Sequence, residues 1–228
     1  MVLIYVGDII VTGNNTLLLK QFISQLNTKF ALKDLGPLHF FFGIEVHRDE
    51  SSLYLNQGKY VKELLSRTGM LHLKPCQTPM TTGKSQSKFD GEPLQNPTEY
   101  RSIIGGLQYL THTRPDLSFA VNKLSLFLQA PTSAHWSAAK RVLRYLKGMI
   151  NHGLHIKFAN HLSLRGYLDS DWACYPDDRR SVAGYCVYLG DTLVSWSSKK
   201  QVVVSRSSTE SEYRALAHVL AEISWITS

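Results

Sequence analysis

The amino-acid sequence predicts an α+β fold in which strand-rich segments flank a helical middle. Three observations carry this. Short β-branched and aromatic runs, punctuated by turn residues, fall within residues 1–12, 40–55 and 154–197. Between residues 100 and 147 the apolar residues recur at helical spacing instead. Residues 75–97, poor in apolar side chains and rich in Pro, Thr, Ser, Gly and Gln, read as a linker. The chain divides accordingly into segments 1–80, 81–160 and 161–228.

The elements follow in order. Residues 2–6 and 9–12 read as two strands. Gly7-Asp8 lies between them, and glycine at the first central position suits a type II′ turn. A helix is expected over 15–29, where Leu18, Phe22, Leu26 and Phe30 repeat every fourth residue and Asn14 or Asn15 can cap. Gly36-Pro37 breaks the chain. Residues 40–47 read as one strand that pairs with 53–55 across the turn at 49–52. A short helix over 59–67 turns Tyr60, Val61, Leu64 and Leu65 inward and ends at Gly69. After the linker, helices are expected over 100–112, 116–129 and 133–147, the first with Ile103, Ile104, Leu107 and Leu110 on one face. The period then changes to strands at 154–158, 162–169, 184–189 and 193–197, and a helix over 207–225 closes the reading.

Composition sets limits. Of 228 residues, 43% are hydrophobic and 19% charged, as in ordinary globular proteins. The net charge of +7 favours a polyanionic partner such as nucleic acid without identifying one. Cys76, Cys174 and Cys186 are widely spaced with no CxxC, which argues against a disulfide framework or a four-ligand zinc site. No apolar run reaches membrane-span length, and residues 1–12 lack the basic start of a signal peptide. Lys140, Arg141, Arg144 and Lys147 share a helix face and, with Lys199 and Lys200, are the candidate phosphate contacts.

Two acidic clusters carry the candidate chemistry: Asp169 and Asp171 at the end of a strand, and Glu210 and Glu212 at the start of the last helix. Leu216 and Leu220 mark the expected core face of that helix. Glu212 lies one turn before Leu216 and is read as inward, while Glu210 lies one turn before Arg214 on the wet face. Strand alternation puts Asp169 and Asp171 on one side together and does not separate them.

These residues sit in a longer series of motifs. Asp169-Ser170-Asp171-Trp172-Ala173, Ser195-Trp196-Ser197-Ser198-Lys199-Lys200-Gln201 and Ser205 to Tyr213 resemble the ribonuclease H region of copia-class retrotransposon Pol polyproteins. Tyr5-Val6-Gly7-Asp8 resembles the Tyr-Val-Asp-Asp motif of the reverse transcriptase in the same polyproteins. Lys33 to Pro37, Phe42-Gly43-Ile44-Glu45, Thr113-Arg114-Pro115-Asp116 and Arg144 to Gly148 follow in the family's order. Similar short reading frames occur in plant mitochondrial genomes. The resemblance implies a partial reverse-transcriptase palm and thumb, a helical connection and a truncated ribonuclease H-like αβ unit. It implies phosphoryl transfer at paired magnesium ions on an RNA–DNA hybrid, with Asp169 and Glu212 as metal-binding catalytic acids and Asp8 as a vestigial polymerase acid.

The chain also departs from the family. Gly7 stands in place of the first aspartate of the polymerase pair. The family's later ribonuclease H aspartates would follow Ser228. The expectation is therefore a catalytically inactive Pol fragment that does not functionally hold magnesium. The alternatives are a non-catalytic nucleic-acid-binding module, a ribonuclease H completed by another chain, or a genomic relic. A mitochondrial location is expected if the frame is encoded in a plant organelle.

Overall fold

The computed structural model of the chain describes residues 1–83, 86–159 and 161–228. It opens on an antiparallel ribbon of β1 (Val2–Tyr5) and β2 (Asp8–Val11). Tyr5 pairs with Asp8, so the turn is Val6-Gly7 rather than Gly7-Asp8. Val6, not the glycine, takes the left-handed backbone at φ 50°. That is an unfavourable conformation for a β-branched residue. Helix α1 (Thr16–Lys29) is capped by Asn15, whose side-chain oxygen accepts the N–H groups of Leu17 and Leu18. None of its residues is buried.

The strand expected over 40–47 is a hairpin instead. β3 (Phe40–Phe41) turns at Phe42-Gly43 into β4 (Ile44–Arg48). Both turn residues have positive φ, 50° and 71°, as a type I′ hairpin turn requires. β4 pairs with β5 (Ser52–Asn56) as expected. The fourth strand, β6 (Gly153–Lys157), comes from beyond the helices and pairs antiparallel with β5 from Ser52↔Lys157 to Asn56↔Gly153. Sheet order is β3-β4-β5-β6.

The main core lies among α2 (Gly58–Arg67), α3 (Pro97–Leu110), α4 (Ser118–Ser125) and α5 (Ser133–Gly148). Asn96 caps α3 through the Thr98 N–H, with Pro97 in the first turn. Val61, Leu64 and Leu65 of α2 pack with Ile103, Ile104, Leu107 and Leu110 of α3 and with Val142, Leu143 and Leu146 of α5. The helix expected over 116–129 is shorter. A 3₁₀ turn at Pro115–Leu117 leads into α4, and i→i+3 bonds from the N–H groups of Leu126, Phe127 and Leu128 tighten the chain after Ser125. Because α2 belongs to this core and β6 to the first sheet, packing runs across residue 80.

The C-terminal unit is an antiparallel sheet ordered β7 (Leu164–Asp171), β8 (Val182–Leu189), β9 (Thr192–Lys200), covered on one face by α6 (Ser208–Thr227). The Trp196 Nε1–H donates to Thr111 O at 3.0 Å, and the Lys157 N–H to Thr192 Oγ1 at 3.1 Å. These bonds join the unit to the helices and the first sheet. The inward face of α6 differs from expectation. Ser211, Ala215 and Val219 are buried, while Leu216 and Leu220 are 38% and 53% exposed. Close approach is the reason. A Cβ on Gly166 of β7 would lie 2.9 Å from Ile223 Cδ1 and 3.0 Å from Val219 Cγ2, so the glycine lets the helix come close to the strand.

Candidate functional site

Strand alternation decides where the acids point. Gly166 meets Val219 and Ile223 of α6, and the Ser170 hydroxyl is hydrogen-bonded to that of Ser211. The even positions of β7 therefore face the helix, and Asp169 and Asp171, both exposed, face the other way. Glu212 is half-buried beside Ser211 in the first turns of α6. Asp169 thus leaves the face of β7 that α6 covers, while Glu212 is carried by α6 itself. Glu210 closes the helix start: its carboxylate accepts the Arg206 N–H at 2.8 Å and pairs with Arg214 at 2.8 Å. The Arg206 N–H, then the Arg214 hydrogen bond, hold its carboxyl below the usual range.

Between the two acidic motifs lies a polar network. Gln201 Nε2 donates to Ser211 O at 2.9 Å, Ser205 Oγ donates to Gln201 Oε1 at 3.0 Å, and the Trp172 Nε1–H donates to Ser205 O at 2.9 Å. Gln201, Ser205 and Ser211 are buried. These motif residues lock the β9–α6 connection onto the end of β7. Asp8 stands exposed at the start of β2, next to the Val6-Gly7 turn.

A divalent cation needs several convergent oxygens. Among the described residues no three His, Cys, Asp or Glu side chains gather closely enough to hold one. Asp169, turned from the face that α6 covers, Glu212 on α6 and Asp8 by its turn therefore form no three-carboxylate cluster among the described residues.

The basic face of α5 has other employment. Arg141 Nη2 donates to Thr78 Oγ1 at 2.8 Å, Arg144 Nε to Lys74 O at 2.8 Å, and Lys147 Nζ to Leu73 O. The Cys76 N–H reaches Arg144 O. Three of the four cations thus staple residues 73–78 to the helix. Lys140 lies over the Trp136 ring at 5.2 Å. Lys200 pairs with Asp178 at 2.6 Å and covers Tyr175, while Lys199 is exposed.

Two buried constellations escaped the functional reading of the sequence. Arg114, 2% exposed, holds Asp116 by two hydrogen bonds at 2.9 and 2.7 Å and donates to Met149 O, and the Tyr145 hydroxyl completes Asp116 at 2.8 Å. Burial alone would raise the Asp116 pKa; the hydrogen bonds and charge of Arg114, with the Tyr145 hydroxyl, outweigh it and hold the carboxyl low. Thr113 donates to Gln57 Oε1 at 2.7 Å, so the Thr-Arg-Pro-Asp motif joins α2, α4 and α5. The second is His135, fully buried and stacked on Phe127. Its Nδ1 accepts the Thr132 N–H at 3.0 Å, which leaves Nε2 to donate to Ser87 O at 3.1 Å. Burial pushes its pKa down. The motif's arginine-acid spacing was a readable signal for the first. His135, in a Thr-x-x-His cap, carried none.

Comparison with known proteins agrees with these motifs. Residues 1–82 match the family model described as reverse transcriptase (RNA-dependent DNA polymerase). The chain is 52% identical over 99% of its length to a retrovirus-related Pol polyprotein from transposon RE2 of Arabidopsis thaliana, and spans 16% of that protein. It is 48% identical to an uncharacterized mitochondrial protein of the same plant, over 98% of this chain and 92% of the relative. It is 31% identical to a putative transposon Ty5-1 protein of Saccharomyces cerevisiae, over 96% of this chain and 72% of the relative. No solved structure matches.

Proposed function

The chain belongs to the copia-type retrotransposon Pol family, as a reverse-transcriptase-like Pol segment, and we propose that it is catalytically silent by itself. The observation that carries this reading is the divided placement of the acids. Asp169 faces away from the helix that bears Glu212, and Asp8 has no second aspartate in its turn. Phosphoryl transfer at metal ions depends on oriented charge, so scattered carboxylates forfeit most of the rate. The test is incubation of the purified chain with a labelled RNA–DNA hybrid and a primed RNA template in magnesium. Neither cleavage nor extension is expected. Magnesium-dependent cleavage that disappears in Asp169→Asn or Glu212→Gln would overturn the reading.

The partner proposed is nucleic acid, an RNA–DNA hybrid first, bound through the net charge of +7 and through Lys140 and Lys199, which form no ion pair among the described residues. Salt titration measures this, with affinity falling as salt rises. A second reading has the C-terminal unit act as a ribonuclease H when another chain completes it. One feature favours it: β7, which carries Asp169, has an outer edge with no paired strand among the described residues. The relative named as a mitochondrial protein supports a mitochondrial location, which organelle fractionation tests.

A further inference from the structure

A cleft of about 340 Å³ opens between α4, α5 and the segment around Met80. Lys123 of α4 and Arg141 and Arg144 of α5 line it, and among the described residues no carboxylate does. None of the three cations forms an ion pair among the described residues. Like charges brought together without an acid repel one another and are relieved by a bound anion. Arg141 is under-satisfied as well. Its Nη2 donates to Thr78, but its enclosed Nε–H finds no acceptor among the described residues. Ser137 and Gln86 add neutral polar groups to the wall, and Leu124 and Val142 add apolar surface.

We propose that this cleft seats a phosphate monoester. Guanidinium groups match phosphate oxygens by fork geometry, and Lys123, whose ammonium rests over the Phe119 ring at 5.7 Å, lines the opposite wall and is the cation an anion would recruit. The volume exceeds that of a bare phosphate, and the apolar wall accommodates an attached nucleoside. Two sources share this chemistry: a free nucleoside monophosphate, or the 5′-phosphate of a strand end. The proposal does not depend on whether the chain binds a hybrid.

The experiment is calorimetric titration of the full chain with inorganic phosphate, with AMP, and with a short DNA oligonucleotide carrying a 5′-phosphate or a 5′-hydroxyl. Saturable binding of phosphate and AMP is expected, weakened about tenfold in Lys123→Gln, the loss of one charge-assisted contact. Lys123 makes no side-chain hydrogen bond among the described residues, so this variant should melt as the wild type does, which guards against the stapling role of Arg141 confusing the result. Preference for the 5′-phosphorylated oligonucleotide over its 5′-hydroxyl counterpart assigns the strand end, and tight AMP binding without that preference assigns the free nucleotide. No saturable binding of phosphate or AMP, or binding unchanged in Lys123→Gln, overturns the proposal. Salt-dependent hybrid binding without saturable binding of phosphate or AMP would leave the nucleic-acid reading standing while this one falls.

Discussion

In α3, Ile103, Ile104, Leu107 and Leu110 all lie in the core, whereas on α1 the similarly repeating Leu18 and Phe22 are 61% and 36% exposed. Both helices are properly started, one by Asn96 and the other by Asn15. Apolar spacing and a cap are enough to specify a helix; burial needs a neighbour with matching surface. The helical body supplies one from α2, α4 and α5. The N-terminal segment touches the body through an aromatic chain, Tyr5 against Phe42 at 4.6 Å and Phe42 against Tyr109 at 5.7 Å.

The sharpest way to break this contrast is truncation on both sides. Leu107→Ala should cost about 2–5 kcal/mol in urea unfolding, while Phe22→Ala should cost under about 0.5 kcal/mol. Equal losses would mean that the two regions share one core. The next effect belongs to Arg114→Met, expected to cost about 2–3 kcal/mol because Asp116 and Met149 O lose their donor. The pH dependence has a definite sign. The folded Asp116 pKa lies below its unfolded value of 3.8, so the pair's stabilisation is present above that value and fades as pH falls through the folded pKa. Arg114→Met should remove this acid limb from the stability profile.

His135 gives a smaller effect at milder pH. Its folded pKa lies below the unfolded 6.5, so stability is full above 6.5 and declines on acidification, by at most about 1.4 kcal/mol per pH unit for one proton. His135→Gln should flatten that decline in thermal melts. Asp90 and Asp177 face the ring and moderate it. The smallest change is on the other side of the comparison. Val6→Gly relieves the left-handed backbone and should alter stability by less than about 1 kcal/mol, since glycine costs more chain entropy to order. Slower amide exchange at the hairpin pairs Ile4↔Ile9 and Leu3↔Ile10 would reveal it.

The buried face of α3 was legible because its residues are large and evenly spaced. The face of α6 was not. Leu216 and Leu220 drew the reading one position away from Ala215 and Val219, since nothing in the helix itself announces that Gly166 lets it approach closely. The acids were legible as motifs, and Glu210 was placed correctly beside Arg214. The shared face of Asp169 and Asp171 was legible from strand alternation, but which side of β7 receives α6 was not. The cations of α5 look the same in sequence whether they meet solvent, phosphate or the carbonyls of Leu73 and Lys74. The turn at Val6 slipped by one residue because glycine preference and strand register disagreed there.

The pairing of β6 with β5 has a consequence for how the chain is made. His155 and Ser52, bonded across those strands, lie 103 positions apart. On a ribosome moving at about 5–20 residues per second, β5 waits about 5–20 s for its neighbour. Throughout that interval its edge is open to any other strand in reach. Crowded synthesis would therefore test this chain where its finished structure shows no weakness.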